Sequence, residues 1–417
     1  MGRLEIEGGK PFAGEVSISG AKNEALKVIP LAILINNSFS VENVPEIADV
    51  VSQLKLFERI GGKYELKDNL LRLDGSGINS ANLDGEISKK LRASIVYLGP
   101  LLAKFKEVEF PFPGGCAIGS RPIETHLKAF SDFGALVTSQ KGSFKVTFNG
   151  FSNKNIEFAE RSVTATENIL LFLSYFSDEF TISNCAIEPE ILALIEILNT
   201  AGAQITKINE REFKVKGNPD LKLENAKMIP DRIEAFSYLI GFVVTGGEGT
   251  IDNFPSQYME EPLKVLKEIG VKFDVSENKI KVFKSPEIKP FEIKTAPYPG
   301  FPTDMQSPMS LVATLASGKS KIVEAMFENR LGYIGELVKM GLRAEVISAH
   351  EVIITGPNKL EGSDIEALDL RSGITLVLAA LASRGKSIIS QGEIIDRGYE
   401  KLTQKLAALG AEIRRYD

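Results

Sequence analysis

One cysteine, Cys116, lies in the run Pro111-Phe112-Pro113-Gly114-Gly115-Cys116-Ala117-Ile118-Gly119-Ser120-Arg121-Pro122. Prolines and glycines on both sides predict an exposed, mobile loop rather than a core position. An exposed thiol near Arg121 and helix dipoles has a lowered pKa and acts as a proton donor or a nucleophile. Cys185, in ThrIleSerAsnCysAla, reads as a core residue on a strand, and two cysteines imply no disulfide framework. The two histidines, His126 in RPIETH and His350 in a turn before a strand, read as structural or solvated. A Ser-His-Asp triad or a His-rich metal site has little material here, and no metal or bound organic cofactor is expected.

A second group of reactive residues sits at helix starts. Long apolar helices are expected to open near Lys22 (AKNEALKVIPLAIL), Arg92 (LRASIVYLGPLLAK), Val163 (VTATENILLFLSYF), Asp231 (DRIEAFSYLIGFVV), Asp304 (TDMQSPMSLVATLA) and Arg371 (LRSGITLVLAALAS). Acidic and hydroxyl residues in their first turns, such as Asp231, Asp369, Thr164 and Thr303, are good caps. Lys22, Arg92, Arg232 and Arg371 instead oppose the positive dipole end, so an anion or a carboxylate must sit among them. Helix N-termini combined with Lys and Arg suit phosphate and carboxylate ligands. Two GlyLysSer triplets, at 318–320 and 385–387, imitate a P-loop. Their required earlier Gly falls on Ala313 and Ala380, and each follows a helix, so they are turns. No GxGxxG follows a strand and opens a helix.

The elements that position these residues repeat. A second helix ends in every unit on a Gly followed by a strand, at Gly61, Gly134, Gly202, Gly270, Gly341 and Gly410, intervals of about 70 residues. Gly in the left-handed position after a helix explains the marker. Six such units fill the 417 residues. The sixth stops early, after AEIRRYD, and RLEIEGGKPFAGEVSISG supplies its missing piece. Two α/β domains of three units each follow, at 22–229 and at 1–21 with 230–417, with the crossings near 21 and 230 forming a hinge. A single six-unit solenoid is the alternative, but no capping repeats are evident.

Composition is that of a globular chain, 43% hydrophobic and 25% charged, with enough apolar mass for large cores. The net charge of −6 argues against nucleic acid as a partner. The N-terminus has no signal-peptide apolar core, and no apolar run approaches the roughly 20 residues that span a bilayer. A cytoplasmic protein with no membrane partner, monomeric or weakly homo-oligomeric, is expected.

The motifs SGAKNEAL, LRASIVYLGPLLA, PGGCAIGSRP, SVTATENI, PDRIEA, PGFPTDMQ, FENR, DLRSG and DRGYE together resemble the UDP-N-acetylglucosamine 1-carboxyvinyltransferase family of enolpyruvyl transferases. The resemblance runs from about residue 4 to 416, and the PGGC loop separates it from the related 5-enolpyruvylshikimate-3-phosphate synthases. It implies two inside-out, barrel-like α/β domains of three repeats with a hinge and a central cleft. It also implies transfer of the enolpyruvyl group of phosphoenolpyruvate to the 3′-hydroxyl of UDP-N-acetylglucosamine, with release of phosphate. That reaction is the first committed step of peptidoglycan synthesis, hence a link to cell wall biogenesis, cell shape, cell cycle and division, and fosfomycin sensitivity.

By matching motif, Cys116 resembles the loop cysteine that protonates the enol carbon and forms an adduct with phosphoenolpyruvate. Asp304 resembles the group that holds and deprotonates the sugar hydroxyl. Lys22, Arg121 and Arg397 resemble the clamp on phosphate and carboxylate, and Asn23 an aid to the tetrahedral intermediate. Arg92, Arg121, Pro122, Ile123, Glu124, Thr125, Ser162, Val163 and Met326 would line the UDP-sugar site, and Arg330 and Arg371 would support the closed cleft. Departures from the family pattern are Glu124 for a common Asp, Ser120 for a common Ala, and Glu160-Arg161 where many members place a Lys. An enolpyruvyl transferase for a different acceptor, such as shikimate 3-phosphate, is the same-class rival. A non-catalytic sugar-nucleotide binding protein is the other.

Overall fold

All six marker glycines hold positive φ, between 89° and 109°, so each second helix ends where the repeat places its end. The computed structural model describes residues 2–112 and 123–416. The Cys116 loop, with Arg121 and Pro122, lies outside the described residues.

Each apolar run forms a helix. Four are continuous: Lys22–Leu31, Val163–Leu173, Arg232–Thr245 and Leu370–Ala382. The other two open as 3₁₀ turns, Arg92–Tyr97 and Thr303–Met305, and continue as α-helices Leu98–Phe105 and Gln306–Ala313. Proline explains the change. Pro100 and Pro308 each stand third in the α segment, where a missing N–H and a ring clash with the i−4 carbonyl disfavour continuing the α-helix backwards into the preceding turn; Pro30, near the end of Lys22–Leu31, leaves that helix continuous. Helix Arg232–Thr245 is buried from Arg232 to Val244, as expected of a helix apolar on every side.

The chain divides into two compact units, residues 20–112 with 123–229, and 2–19 with 230–416. In the second, Arg232–Thr245, Gln306–Ala313 and Leu370–Ala382 pack on one another. In the first, Leu98–Phe105 packs on Val163–Leu173, and Lys22–Leu31 on Ala48–Arg59 and Pro189–Thr200. Three sheets accompany each unit. Five are four-stranded and one three-stranded, so the barrel-like domains consist of separate sheets, none of them closed among the described residues. In the three-stranded case an extra helix, Gly85–Lys90, precedes Arg92.

A short strand before an apolar helix usually runs parallel to the strand after it, as Asn155–Glu157 does with Glu179–Ser183. Two pairings are exchanged where the chain crosses between units. Ala13–Ser17 precedes helix Lys22–Leu31 but pairs with Glu248–Asp252. Asn225–Lys227 precedes Arg232–Thr245 but pairs with Phe39–Glu42. Arg3–Glu7 lies antiparallel to both Lys386–Ser390 and Glu412–Tyr416, so the N-terminal strand completes the sixth repeat's sheet.

Asn168 locks three elements of the first unit. Its Oδ1 accepts the Gly99 N–H at 2.6 Å, and its Nδ2 donates to the Ile95 carbonyl at 2.9 Å and to His126 Nδ1 at 3.1 Å. His126 therefore carries its proton on Nε2 and donates to Thr164 Oγ1 at 3.0 Å. Burial, with the Arg92 charge beside it, pushes the His126 pKa down to about 3, so the ring is neutral and structural. Gly99 is required by close approach: a Cβ there would stand 2.3 Å from the Asn168 carbonyl oxygen. Asn168→Leu, which keeps the volume and deletes the hydrogen bonds, is expected to lower stability by about 1–3 kcal/mol, read as a reduced urea midpoint at unchanged m.

Candidate active site

Lys22 is the first residue of its helix and is buried, with Nζ 2.6 Å from Asp49 Oδ2. Asp49 stands in the first turn of Ala48–Arg59, where its own helix dipole favours negative charge. The carboxylate required to tolerate a cation at a helix start is thus Asp49. Asn23 follows, half-buried, and its carbonyl accepts Lys27 Nζ at 2.6 Å. Lys27 in turn lies 3.1 Å from Glu167, both side chains fully enclosed. Burial raises the Glu167 pKa to about 7, against the pull of Lys27.

In the other unit, Asp304 is fixed by two guanidinium groups. Arg330 Nη2 donates to Oδ1 at 2.6 Å and Arg371 Nη2 to Oδ2 at 3.0 Å. Both arginines are 7% exposed, whereas the Asp304 side chain is 23% exposed. The carboxylate therefore presents an open edge while its cations are enclosed. Burial alone would lower the Arg371 pKa, but Asp304, Tyr399 and Asp231 more than reverse this and raise it. The Arg371 carbonyl accepts from Ser307 Oγ at 3.3 Å and Thr375 Oγ1 at 3.0 Å, which ties helix Gln306–Ala313 to Leu370–Ala382. Arg397 ends the turn Gly392–Arg397, half-buried. Arg232 lies buried over the Tyr298 ring, 5.8 Å from its centroid.

Of the residues assigned to the UDP-sugar, Arg92 is half-buried at the start of its 3₁₀ turn. Ile123 is buried and Glu124 exposed. Thr125 is buried, and its hydroxyl donates to the Glu160 carboxylate. Ser162 caps Val163–Leu173, with Oγ accepting the Ala165 N–H at 3.3 Å. Glu160-Arg161, the departure from the family pattern, is accounted for locally: Glu160 holds Thr125, and Arg161 Nε donates to Asn184 Oδ1 at 3.2 Å. Met326 is 36% exposed. Cys185 is enclosed, with burial pushing its thiol up to about 12, which suits a core residue.

Sequence reasoning missed two carboxylates. One is Asp49. The other is Glu324, fully buried at the end of strand Lys319–Val323. Glu324 accepts from Thr295 Oγ1 at 3.0 Å, Thr303 Oγ1 at 2.7 Å, Met326 N at 2.7 Å and Phe327 N at 3.1 Å. It holds the residue before Asp304 and the one at Met326 together. The available signal was an acid immediately after the apolar strand run SKIV, where a charge needs partners.

Comparisons with known proteins give the fold and the family. Residues 6–406 match the family model described as EPSP synthase (3-phosphoshikimate 1-carboxyvinyltransferase). Among solved structures, the enolpyruvyl transferase NikO from Streptomyces tendae superposes with a TM-score of 0.91 at 24% identity, covering 99% of this chain and 98% of that one. An EPSP synthase from Acinetobacter baumannii gives 0.78 at 17% identity over 100% of both chains; both likenesses establish the fold. The UDP-N-acetylglucosamine 1-carboxyvinyltransferase of a Nitratiruptor species is 40% identical over 100% of this chain and 99% of its own. That of Campylobacter lari is 39% identical over 100% of both. Identity at that level, sustained from end to end, makes the chain a member of the UDP-N-acetylglucosamine 1-carboxyvinyltransferase family within the enolpyruvyl transferases.

Proposed function

We propose that the chain transfers the enolpyruvyl group of phosphoenolpyruvate to the 3′-hydroxyl of UDP-N-acetylglucosamine and releases phosphate. The observation that carries this reading is Asp304, a partly exposed carboxylate gripped on each oxygen by a buried arginine. An ionised carboxylate is an acceptor only, and the Asp304 side chain is 23% exposed, so a sugar hydroxyl can reach it. The names of the full-length relatives favour this acceptor over shikimate 3-phosphate.

In the proposed mechanism the hydroxyl oxygen bonds to C2 of phosphoenolpyruvate while the Cys116 thiol gives its proton to C3. Asp304 takes the hydroxyl proton. The resulting tetrahedral adduct loses phosphate from C2 and gives a proton of the new methyl group back to the Cys116 thiolate, which restores the enol double bond, while the proton held by Asp304 leaves with the phosphate. Lys22, Arg121 and Arg397 neutralise the phosphate and carboxylate, and Asn23 steadies the adduct. Arg92, Arg121 to Thr125, Ser162, Val163 and Met326 receive the nucleotide sugar, and Arg330 and Arg371 hold Asp304. The two units serve as the two domains of this enzyme. The setting is the cytoplasm, as a monomer or weak homo-oligomer, at the first committed step of peptidoglycan synthesis, with its consequences for cell wall, shape and division.

Phosphate release from phosphoenolpyruvate is expected to require UDP-N-acetylglucosamine. Release driven by shikimate 3-phosphate instead would replace the proposed acceptor. Asp304→Asn, which keeps the shape and lacks the base, is expected to lower kcat by about 10²–10⁴. Intact-mass measurement after fosfomycin treatment is expected to show one adduct on the wild type and none on Cys116→Ser; equal labelling of both would remove Cys116 from the mechanism.

A further inference from the structure

The helix that carries Lys22 and Asn23 starts without a side-chain cap. Its N-cap is Ala21, which makes no cap hydrogen bond. Helix Arg232–Thr245, by contrast, is capped by Asp231, whose Oδ1 accepts from Ile233 N at 2.8 Å and Glu234 N at 3.0 Å. An uncapped first turn frays unless something else holds it.

Glu24 supplies the substitute. Its Oε2 accepts the Ile229 N–H at 2.8 Å, and the Ile229 carbonyl accepts the Ala21 N–H at 2.7 Å. The last residue of this unit before the chain crosses is thus bonded on both its polar groups to the start of the helix. The other unit repeats the arrangement. Glu234 Oε2 accepts the Ser19 N–H at 2.7 Å, and the Ser19 carbonyl accepts the Asp231 N–H at 2.9 Å. There the second carboxylate oxygen is held by Lys405 at 2.7 Å. Glu24 has no such partner: it is 1% exposed and its Oε1 makes no hydrogen bond.

We infer that Glu24 is a positioning residue: its bond to Ile229 fixes the uncapped turn that presents Lys22 and Asn23. The inference rests on the roles proposed above for those two residues. The neutral form of Glu24 is the one the surroundings favour. Burial raises its pKa to about 8, with Glu190 and Glu196 of helix Pro189–Thr200 adding to the rise and the Ile229 bond and Lys27 opposing it. Lys27 is already engaged by Glu167 and the Asn23 carbonyl. Glu24 also lines a cavity of about 190 Å³ with Glu196, Thr200, Asn225 and Lys227, which gives its proton a path to solvent. Above about pH 8 the second oxygen carries charge in an enclosed site; ionisation by itself strengthens the Ile229 bond, but the cost of the unpaired buried charge is relieved only by opening toward water, and where that cost is the larger the turn loosens. The sign on stability is the same. The folded chain binds a proton that the unfolded chain releases near the ordinary carboxylate value of 4.5, so this stabilisation falls as pH rises from there to about 8.

The test compares wild type, Glu24→Gln and Glu24→Ala. Gln is the neutral isostere and keeps an acceptor for Ile229. It is expected to retain kcat within about threefold, whereas Ala loses about tenfold in kcat with the KM for UDP-N-acetylglucosamine little changed. Wild-type kcat is expected to decline above about pH 8, and that limb should be absent from Glu24→Gln. Hydrogen exchange at the Ile229 amide should be protected in wild type and Gln and fast in Ala. Wild-type kcat in Ala, equal loss in Gln and Ala, or the same alkaline limb in wild type and Gln would each overturn the inference. Should Ala fail to fold, the wild-type and Gln pH profiles and Ile229 exchange still decide it. A wild type that releases no phosphate with any acceptor sinks the proposed function instead, while the exchange measurement continues to test the tie.

Discussion

Cations at the positive ends of helices are the costly feature on which this protein is built. A helix N-terminus exposes unpaired N–H groups and a positive dipole, so Lys22 and Arg371 are placed against their own local field. Each is enclosed, and each has a carboxylate in contact: Asp49 for Lys22, and Asp304 for Arg371 and Arg330. Removing one member of such a pair leaves a buried charge uncompensated, so the partners are bound to each other's presence.

The repeat makes this economical. One plan of apolar helix, strand, second helix and glycine recurs six times, and each recurrence delivers a fresh helix start with its polar first turn. The repeats differ in what occupies that turn. Asp231 and Asp369 cap their helices in the ordinary way, Ser162 does so with a hydroxyl, and Ala21 does not cap at all. The two parallel pairings exchanged at the crossings, Ala13–Ser17 with Glu248–Asp252 and Asn225–Lys227 with Phe39–Glu42, accompany buried glutamates bonded to Ser19 and Ile229, the residues at which the chain leaves each unit. Such a glutamate can serve as a cap from outside the usual capping position.

Much of the fold was legible because its signals are local and periodic. Glycine after a helix and apolar runs of helical length lie within a few residues of the features they report, and the regular period made the unfinished sixth repeat visible even though its completing strand lies at the other end of the chain. The 3₁₀ openings at Arg92 and Thr303 were legible too, in hindsight, from Pro100 and Pro308. The barrel-like domains are built from separate sheets, five of which carry a parallel strand at one edge while the three-stranded one is wholly antiparallel. The site was legible in its cations and in Asp304, through motifs, but not in its carboxylate partners. Asp49 is 27 positions beyond Lys22 and Glu324 is 20 beyond Asp304, and neither separation carries a helical or strand period.

The sequence by itself determined the elements, their sixfold order, the excess of cations at helix starts and the family to which the motifs belong. Those properties depend on neighbours along the chain. Only the tertiary structure decided which carboxylate meets which cation, that His126 is neutral, and that Glu24 keeps one oxygen without a partner. Pairing and burial are set by distances across the fold, and the cost of an enclosed charge exists only once water has been excluded around it.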